Sequence, residues 1–531
     1  MKTLREMYPN ISIPQPIGEI SARKFKSCTN RGTINFCAIK MWFVFVVAVL
    51  VESIIASTVS EVDVLILGAG ITGIKAGNHF QNNNLTNFLI LEAQDYIGGR
   101  IKQAKVGNVT VGEVNWVQYV EDGDDNPIWV LANEINLEKY MNNEDDIAVK
   151  NTIHSKADYE KTLKTFKDIE AVVIADNEKN PRNGDQPLSS VLSANGWFPD
   201  TPLKKTVGWL LDFDYGVKSA LISSRHYAGL PEENEFVTDS RGLKGIIDYL
   251  AQNITSKIKT EKVVTQIKYS SDGIEVRTKD NETYKAKYGL CTFSTGVLAS
   301  DLVEFIPELP KWKKEAISRI PLAYYTNIFV KFPNAFWEDN EFIINAGSIA
   351  ETFPHLYNLN KKGIHEGSNV LLFTAVEENS LRIEGQSKNE TIAEVMKTLR
   401  EMYPNVSIPQ PTEVYVSQFN ENPYIRGGFS NAVVGSTLAD FHNLQGRLGN
   451  LFFAGEATEE DYWGFTQGGY LTGLKQAKVI LVCLNGKNCP EYESEDADIC
   501  KTKSNIVPSA GNIAKSSYAC FFLLVVYILF V

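Results

Sequence analysis

The sequence predicts an α/β protein built around a discontinuous Rossmann-like domain, with an α+β domain beside it. The first observation is the glycine pattern Gly68-Ala69-Gly70-Ile71-Thr72-Gly73, which directly follows the apolar run 62–67. The second is Glu92, which ends another apolar run nineteen positions after Gly73. Strand, glycines, helix and acid in this order are typical of a dinucleotide-binding βαβ unit. The third is a set of strand-like runs much further along the chain, which makes the domain discontinuous.

The glycines of the pattern are each expected to serve a separate purpose. Gly68 permits the tight turn, Gly70 lets the backbone approach a pyrophosphate, and Gly73 lets the following helix pack closely. The amides at the start of that helix, together with Ala69 in the turn, would face the phosphates. Glu92 would bind a ribose hydroxyl. The pattern alone also suits an NAD-dependent dehydrogenase, so other motifs must decide which nucleotide is bound.

Strands are predicted at six separate places and assigned to one nucleotide-binding sheet. They are the runs 62–67, 88–91, 262–269, 273–278, 284–293 and 450–454. Charged stretches with helical character lie between them, such as 156–174 and 391–402, and are assigned to a substrate domain. The predicted limits are 58–120, 235–320 and 412–490 for the nucleotide-binding domain, and 121–234 and 321–411 for the substrate domain. A ligand would lie between the two domains.

Two distant parts of the chain carry motifs that identify the nucleotide. Glu92-Ala93 is followed by Gly98-Gly99-Arg100, and Gly455-Glu456 and Gly464-Phe465-Thr466 stand near the far end. With these motifs the chain resembles the flavin amine oxidases from about residue 61 to about residue 489, above all the secreted polyamine oxidases of plants. The resemblance implies that Gly99 and Arg100 hold the diphosphate of FAD. It also places Gly455 and Glu456 at the ribityl chain, Thr466 beside the cofactor and the backbone of Val264 at the adenine.

The resemblance also implies a reaction and a substrate class. In this family an amine loses hydride from its α-carbon to the flavin, water hydrolyses the imine to an aldehyde, and dioxygen reoxidises the flavin with release of hydrogen peroxide. A spermine- or spermidine-like amine and dioxygen are therefore the expected small-molecule partners. Two rings wall the amine at the positions of Phe429 and Phe465, where their negative faces can hold the nitrogen. Tyr325 lies opposite, and Trp116 belongs to a motif shared with the plant enzymes.

Two substitutions concern the chemistry directly. The family lysine two residues after the tyrosine is Asn327, which can hold a water molecule but supplies neither a positive charge nor a titratable proton. The glutamate two residues after the tryptophan is Gln118, so a cation-binding carboxylate has become a neutral amide. The alternative to an active polyamine oxidase is therefore an FAD-binding, amine-oxidase-like protein of the cell surface whose catalysis is weak or lost.

Two further positions depart from the family pattern. Glu113 stands where a glycine lets the backbone approach the flavin, unless the local alignment is shifted by one residue. Phe419-Asn420 replaces a tryptophan pair before the aromatic wall. This replacement is expected to loosen the packing against the ring.

Composition and cysteines bear on the partners and the compartment. The formal net charge of −12 argues against a nucleic-acid partner. Asn-x-Ser/Thr acceptor sites favour the secretory route and occur at Asn84, Asn108, Asn253, Asn281, Asn389 and Asn405. Cys483 and Cys489 are plausible disulfide partners in an oxidising compartment, and the plant enzymes show a similar pair. No cysteine and histidine grouping has metal-ligand spacing, so no metal is expected.

The two ends of the chain predict processing and membrane attachment. Residues 1–16 nearly repeat 396–411, so the leader 1–40 is interpreted as a gene-sequence or duplication artefact. Residues 41–57 have the character of a signal peptide, with a signal anchor as the alternative. After a polar linker, 491–517, the apolar run 518–531 resembles a GPI-attachment signal, with a tail-anchor helix as the alternative. The expected location is extracellular, at the cell surface.

Overall fold

Two large β-sheets organise the part of the chain that the structure describes. The structure is a computed structural model that describes residues 59–118, 126–150, 154–179, 184–228, 234–347, 352–486, 489–490, 492 and 494. The predicted leader 1–40, signal peptide 41–57 and apolar end 518–531 lie outside the described residues, as does most of the linker 491–517. These assignments therefore stay predictions.

The strands are numbered in chain order. Those up to residue 259 are β1 (Val59–Leu67), β2 (Phe88–Leu91), β3 (Gln103–Val106), β4 (Val109–Gly112), β5 (Trp116–Gln118), β6 (Lys139–Met141), β7 (Ile147–Lys150), β8 (Asn234–Val237) and β9 (Ile258–Lys259). Those that follow are β10 (Val264–Tyr269), β11 (Ile274–Thr278), β12 (Thr283–Cys291), β13 (Glu304–Ile306), β14 (Tyr325–Lys331), β15 (Phe342–Asn345), β16 (His355–Asn358), β17 (Val370–Val376), β18 (Glu413–Val416) and β19 (Leu451–Phe453).

The α-helices are numbered in the same way. They are α1 (Ile71–Asn82), α2 (Pro127–Glu134), α3 (Lys156–Lys179), α4 (Leu188–Ala194), α5 (Pro202–Tyr215), α6 (Lys244–Ala251), α7 (Thr295–Leu298), α8 (Lys311–Arg319), α9 (Glu377–Gly385), α10 (Lys388–Met402), α11 (Leu438–Gln445) and α12 (Thr466–Leu484). Short 3₁₀ turns lie at Thr255–Lys257 and Glu456–Thr458.

The eight-stranded sheet contains the predicted βαβ unit. Its order is β13-β10-β11-β12-β1-β2-β9, and β19 pairs with β12. β1 runs parallel to β2 on one side and to β12 on the other. The chain therefore leaves β1 towards β2 and β9 and returns on the opposite side at β12, which puts a topological switch point at the carboxyl end of β1. All six predicted strand runs lie in this sheet, so that prediction is confirmed.

The centre of this sheet is buried on both faces. Val64 and Ile66 of β1 pack in a core with α1, α6 and α12, while Leu65 and Leu67 pack on the other face with α8 and α11. A strand covered on both sides needs an unbroken apolar sequence, which is the pattern of 62–67 apart from Asp63.

The second sheet has six strands in the order β18-β14-β17-β16-β15-β7. Helix α10 packs Val395 and Leu399 against β14 and β17 in one apolar core. The helix begins before the predicted residue 391 because Ser387 and Glu390 form a capping box, in which Ser387 N donates to the Glu390 carboxylate at 2.8 Å.

One domain limit differs from the sequence prediction. The predicted nucleotide-binding segment 412–490 includes β18, but β18 pairs antiparallel with β14 and therefore belongs to the second sheet. Local sequence could not show this, because the pairing joins strands more than eighty residues apart. The other domain limits stay predictions.

The described residues also bear on compartment and membrane. Cys483 and Cys489 form a disulfide, as predicted. The six acceptor asparagines are all exposed. Among the described helices, none is long and apolar enough to cross a membrane.

Candidate cofactor and active site

A cavity opens at the switch point, at the carboxyl end of β1. Ten of the twelve residues predicted to bind the cofactor line it, namely Gly68, Gly70, Glu92, Ala93, Gly99, Arg100, Val264, Gly455, Glu456 and Thr466. Phe429 and Phe465, the predicted aromatic pair, line the same cavity. The structure thus brings together residues from distant parts of the chain that sequence motifs assigned to one cofactor.

The glycine turn has the geometry that a bound diphosphate requires. Gly68 has a φ of +108°, and a Cβ at this residue would lie 2.5 Å from Thr292 Oγ1. A Cβ at Gly73 would lie 2.0 Å from the carbonyl oxygen of Gly68, so α1 packs directly on the turn. At Gly70 a Cβ would meet no heavy atom within 4 Å, which leaves open the space that a phosphate must enter.

Glu92 is positioned by the same turn. It is 6% exposed, and its carboxylate accepts from Ala69 N at 2.7 Å and from Gln94 N at 2.9 Å. Burial raises the pKa of Glu92, and hydrogen bonds from backbone amides oppose that rise. The predicted residue Ala69 therefore acts by holding Glu92 through its amide. The remaining lone pairs of the carboxylate can accept from ribose hydroxyls.

An ion pair joins the two distant cofactor motifs. Arg100 Nη1 donates to Glu456 Oε1 at 2.7 Å and to Gly428 O at 2.9 Å. Glu456 Oε2 also accepts from Gly464 N at 3.0 Å and from the Ser430 hydroxyl. Arg100 and Glu456 both line the cavity, so the pair fixes the walls where the diphosphate and ribityl chain are predicted to lie.

A buried hydroxyl in this cavity also bears on what the cavity can bind. Thr295 lines it, and Thr295 Oγ1 is buried without a hydrogen-bond partner in the described structure. Buried polar atoms are normally satisfied, so a ligand group is expected to complete this one. The open space at Gly70, the acid Glu92 and the free hydroxyl together fit a dinucleotide such as FAD.

The aromatic wall is assembled from β14, α5, the start of α12 and the segment that carries Phe429. The ring centroid of Phe429 lies 5.5 Å from that of Tyr325, which lies 5.8 Å from that of Phe213. Phe465 is 39% exposed at the start of α12. Sequence reasoning missed Phe213, although its i, i+4 spacing from Trp209 on α5 signals a shared helix face. Tyr325 contacts the ring of Phe429 but is not part of the cavity lining.

Asn327 is held entirely by protein groups. It is 2% exposed, its Nδ2 donates to Glu113 O at 3.0 Å, and its Oδ1 accepts from Thr374 Oγ1 at 3.0 Å. Thr374 lies directly opposite Asn327 in the β14–β17 register. Each end of the amide has thus already formed one hydrogen bond, which leaves one donor and one acceptor for a water molecule.

Glu113 is buried beside Asn327 rather than open to the cavity. It is 4% exposed, accepts from the Tyr415 hydroxyl and lies 3.9 Å from Lys102 Nζ. Burial raises the pKa of Glu113, against the effects of Tyr415 and Lys102. At Gly112 a Cβ would lie 2.5 Å from Val114 O, so this is the position with no room for a side chain. That geometry favours the one-residue shift of the family glycine.

Trp116 and Gln118 lie outside the cavity lining. Trp116 packs in an aromatic cluster with ring centroids 5.3 Å from Phe236 and 5.5 Å from Tyr357. Gln118 Oε1 accepts from Gln467 Nε2 at 3.0 Å, in the first turn of the helix that follows Phe465. Their predicted catalytic roles stay predictions. Within the described ranges, no group of three or more His, Cys, Asp or Glu residues could hold a metal ion.

A glycine turn at a switch point, a buried acid for a ribose and an arginine at the diphosphate position define a dinucleotide-binding protein. The predicted aromatic pair, Phe429 and Phe465, lines the same cavity. The family model of the flavin containing amine oxidoreductases matches residues 71–194 and 203–481. The chain belongs to this family, and its cofactor is FAD. The predicted family resemblance, α/β fold and cofactor are thereby confirmed.

Known relatives agree with this assignment. Polyamine oxidase 6 of Oryza sativa subsp. japonica is 33% identical over 476 residues, which cover 83% of this chain and 95% of the relative. Polyamine oxidase 1 of Zea mays is 31% identical over 462 residues, 80% of this chain and 91% of the relative. A solved structure of wild-type putrescine oxidase bound to putrescine superposes with a TM-score of 0.64 at 13% identity, covering 80% of this chain and all of that one. The last similarity concerns the fold alone.

Proposed function

We propose that this protein is an exported FAD-dependent polyamine oxidase. The observation that carries the proposal is the pair Phe429 and Phe465 in the same cavity as Glu92, Arg100 and the glycine turn. Relatives named polyamine oxidase, 33% and 31% identical across most of the chain, support the substrate class. A spermine- or spermidine-like amine and dioxygen are the proposed substrates.

The two rings would hold and orient the amine. Their negative faces attract the substrate nitrogen, and their apolar surface keeps water from the reacting carbon. The backbone fixes Phe429, because Ala323 N donates to Phe429 O at 2.7 Å and Gly428 N donates to Ala323 O at 2.8 Å. Bound FAD would supply the redox chemistry, accepting hydride from the amine and returning the electrons to dioxygen.

The second candidate is an FAD-binding, amine-oxidase-like protein of the cell surface with weak or lost catalysis. Asn327 cannot take up a proton at the position of the family lysine, and both ends of its amide bond to protein groups. Gln118 supplies no carboxylate for a cation and bonds to Gln467. The hydrogen bonds that these two amides make to protein groups are the specific observations that favour this candidate.

We further propose export and attachment to the cell surface by a GPI anchor. The exposure of all six acceptor asparagines suits glycosylation, and the disulfide between Cys483 and Cys489 suits an oxidising compartment. The predicted signal peptide 41–57 and the apolar end 518–531 supply the remaining support.

An absorption spectrum of the protein purified from a secretory host distinguishes the candidates. Spermine or spermidine is added without oxygen, and air is then admitted. Flavin bands that bleach with the amine and return with air support the oxidase. Flavin bands that do not bleach support the second candidate, and a spectrum without flavin bands contradicts FAD binding.

A further inference from the structure

Residues 419–428, here called the strap, pass along the FAD cavity immediately before Phe429. Tyr424, Ile425 and Gly428 of the strap line the cavity. On the cofactor side the strap is tied at three places. Arg100 Nη1 donates to Gly428 O at 2.9 Å, Ser294 Oγ donates to Ile425 O at 2.7 Å, and Asn422 Nδ2 donates to Gln94 Oε1 at 2.7 Å.

The other end of the strap is tied to a single buried carboxylate. Glu384, in the last turn of α9, is 7% exposed. It accepts from three consecutive amides, Phe419 N at 3.1 Å, Asn420 N at 2.9 Å and Glu421 N at 3.0 Å. Asn420 Nδ2 adds a fourth hydrogen bond at 2.8 Å. Asn420 therefore anchors the strap, although the sequence predicted that Phe419-Asn420 would loosen the packing against the flavin ring.

The same carboxylate reaches the opposite wall of the site. Thr326 Oγ1 donates to Glu384 Oε1 at 2.7 Å, and Thr326 lies in β14 between Tyr325 and Asn327. The strap closes on itself because Gly427 N donates to Phe419 O at 2.8 Å. Hydrogen bonds thus run from β14 through Glu384 and the strap to the backbone next to Phe429.

We propose that Glu384 is a positioning residue that holds the strap closed over FAD and fixes the spacing between the rings of Tyr325 and Phe429. The part that concerns FAD rests on the family assignment, whereas the part that concerns the amine rests on the proposed function. Among the described ion pairs Glu384 takes part in none, so N–H and O–H donors alone offset its charge.

Only a carboxylate satisfies all of these donors. Two carboxylate oxygens can accept four or more hydrogen bonds, whereas a glutamine amide has one oxygen and two further donors. In Glu384→Gln the NH₂ group would face at least one of the strap amides, and that amide would lose its partner. Buried donors without partners are costly, so the strap would open more often.

The test compares Glu384→Gln with Glu378→Gln in the full-length holoprotein. Glu378 lies on the same helix but pairs with Lys218 at the surface, away from the strap. FAD affinity is measured by refilling the apoprotein, and strap opening by the rate at which trypsin cleaves after the exposed Arg426. Glu384→Gln is expected to weaken FAD binding about tenfold and to speed this cleavage about tenfold. Glu378→Gln is expected to change neither quantity.

The proposal is overturned if Glu384→Gln lowers the melting temperature but leaves FAD affinity and cleavage at Arg426 unchanged. If that variant does not fold, Thr326→Val decides instead, since it removes one donor and keeps the shape of the strand residue. It is expected to give changes of about threefold in the same direction, and no change would overturn the proposal. Both readouts work without an amine, so a wild-type protein that oxidises none would contradict the proposed function and leave this test intact. With an active enzyme, Glu384→Gln should raise KM for the amine more than it lowers kcat.

Discussion

At residue 327, where the family resemblance implies a lysine, an amide is hydrogen-bonded to protein groups at both of its ends. Asn327 links β14 to the Glu113 backbone and to Thr374 on β17, so it has a structural task of its own. The buried carboxylate of Glu113 lies close by and already faces Lys102. The position can therefore support a cation only if that cation finds acceptors among these groups.

We expect Asn327→Lys to raise turnover per bound flavin by about tenfold, because it supplies a titratable cation where the family resemblance implies a lysine. The Glu113 carbonyl that now accepts from Asn327 can accept from the ammonium. The rate of flavin reduction under anaerobic amine measures the change. The control is Asn327→Met, because methionine is about as long as lysine and carries no charge. Its rate of flavin reduction should not rise. An unchanged or lower rate in the lysine variant would count against the assigned role.

Asp212 on α5 makes stability depend on pH. Burial, first of all, raises its pKa to about 7, although Ser219 N donates to it at 3.0 Å. The folded protein therefore holds this proton more tightly than the unfolded chain, and the stability that Asp212 contributes falls as pH rises from about 4 to about 7. Above pH about 7 this contribution to stability is fully lost, and it no longer changes with pH.

Asp212→Asn removes this titration and keeps an oxygen that accepts from Ser219. We expect the free energy of unfolding to rise by on the order of 1 kcal/mol at pH 8, after allowance for partial solvent exposure, and by less at pH 5. Denaturant titrations at the two pH values measure it. The control is Asp200→Asn, where a hydrogen bond from Lys204 lowers the pKa of an exposed carboxyl and no gain at pH 8 is expected. An equal gain at both pH values would refute the role of Asp212.

At the scale of elements, the sequence predicted those strands, turns and helices that neighbouring residues determine. The apolar run of β1 and the glycines after it set the strand, the turn and the start of α1, and all were readable in sequence. The start of α10 was missed because the prediction followed the apolar spacing, whereas the polar capping box of Ser387 and Glu390 begins the helix. The assignment of β18 and the role of Glu384 could not be predicted, since both depend on partners dozens of residues away.

The turn between β1 and α1 gives a prediction that separates folding from cofactor binding. In Gly73→Ala the new Cβ would collide with the Gly68 carbonyl at 2.0 Å, and backbone cannot move aside cheaply. We expect the free energy of unfolding of Gly73→Ala to fall by more than about 3 kcal/mol, and little soluble protein to be obtained. In Gly70→Ala the new methyl meets no protein atom within 4 Å, so the apoprotein should melt like the wild type.

The same Gly70→Ala variant should bind FAD at least about tenfold more weakly, because the methyl occupies the approach of the pyrophosphate. Titration of the apoprotein with FAD measures this affinity. Wild-type FAD affinity in Gly70→Ala, or normal yield of Gly73→Ala, would show that the turn does not serve the purpose assigned to it.

At the scale of the whole molecule, the cavity wall is drawn from segments that the sequence keeps apart. Glu92 and Arg100 come from the first βαβ unit, Val264 and Thr295 from the middle of the chain, and Glu456 from its last part. A ligand that contacts all three of these parts of the chain stabilises the folded state by its binding free energy. The motifs predicted this convergence, whereas the contacts between them, such as Arg100 with Glu456, needed the structure.

The whole molecule is proposed to be held at the cell surface by a lipid anchor. In cells that express the full-length protein, a GPI anchor predicts release of active flavoprotein into the medium by a phospholipase C that cleaves phosphatidylinositol anchors. The physical reason is that the apolar run 518–531 would be replaced by a lipid whose cleavage leaves no hydrophobic segment behind. A version that ends at residue 511 is the control and should be secreted without the enzyme. Protein that stays in the membrane fraction after treatment, and that mass spectrometry shows to retain residues 518–531, would establish the tail-anchor alternative.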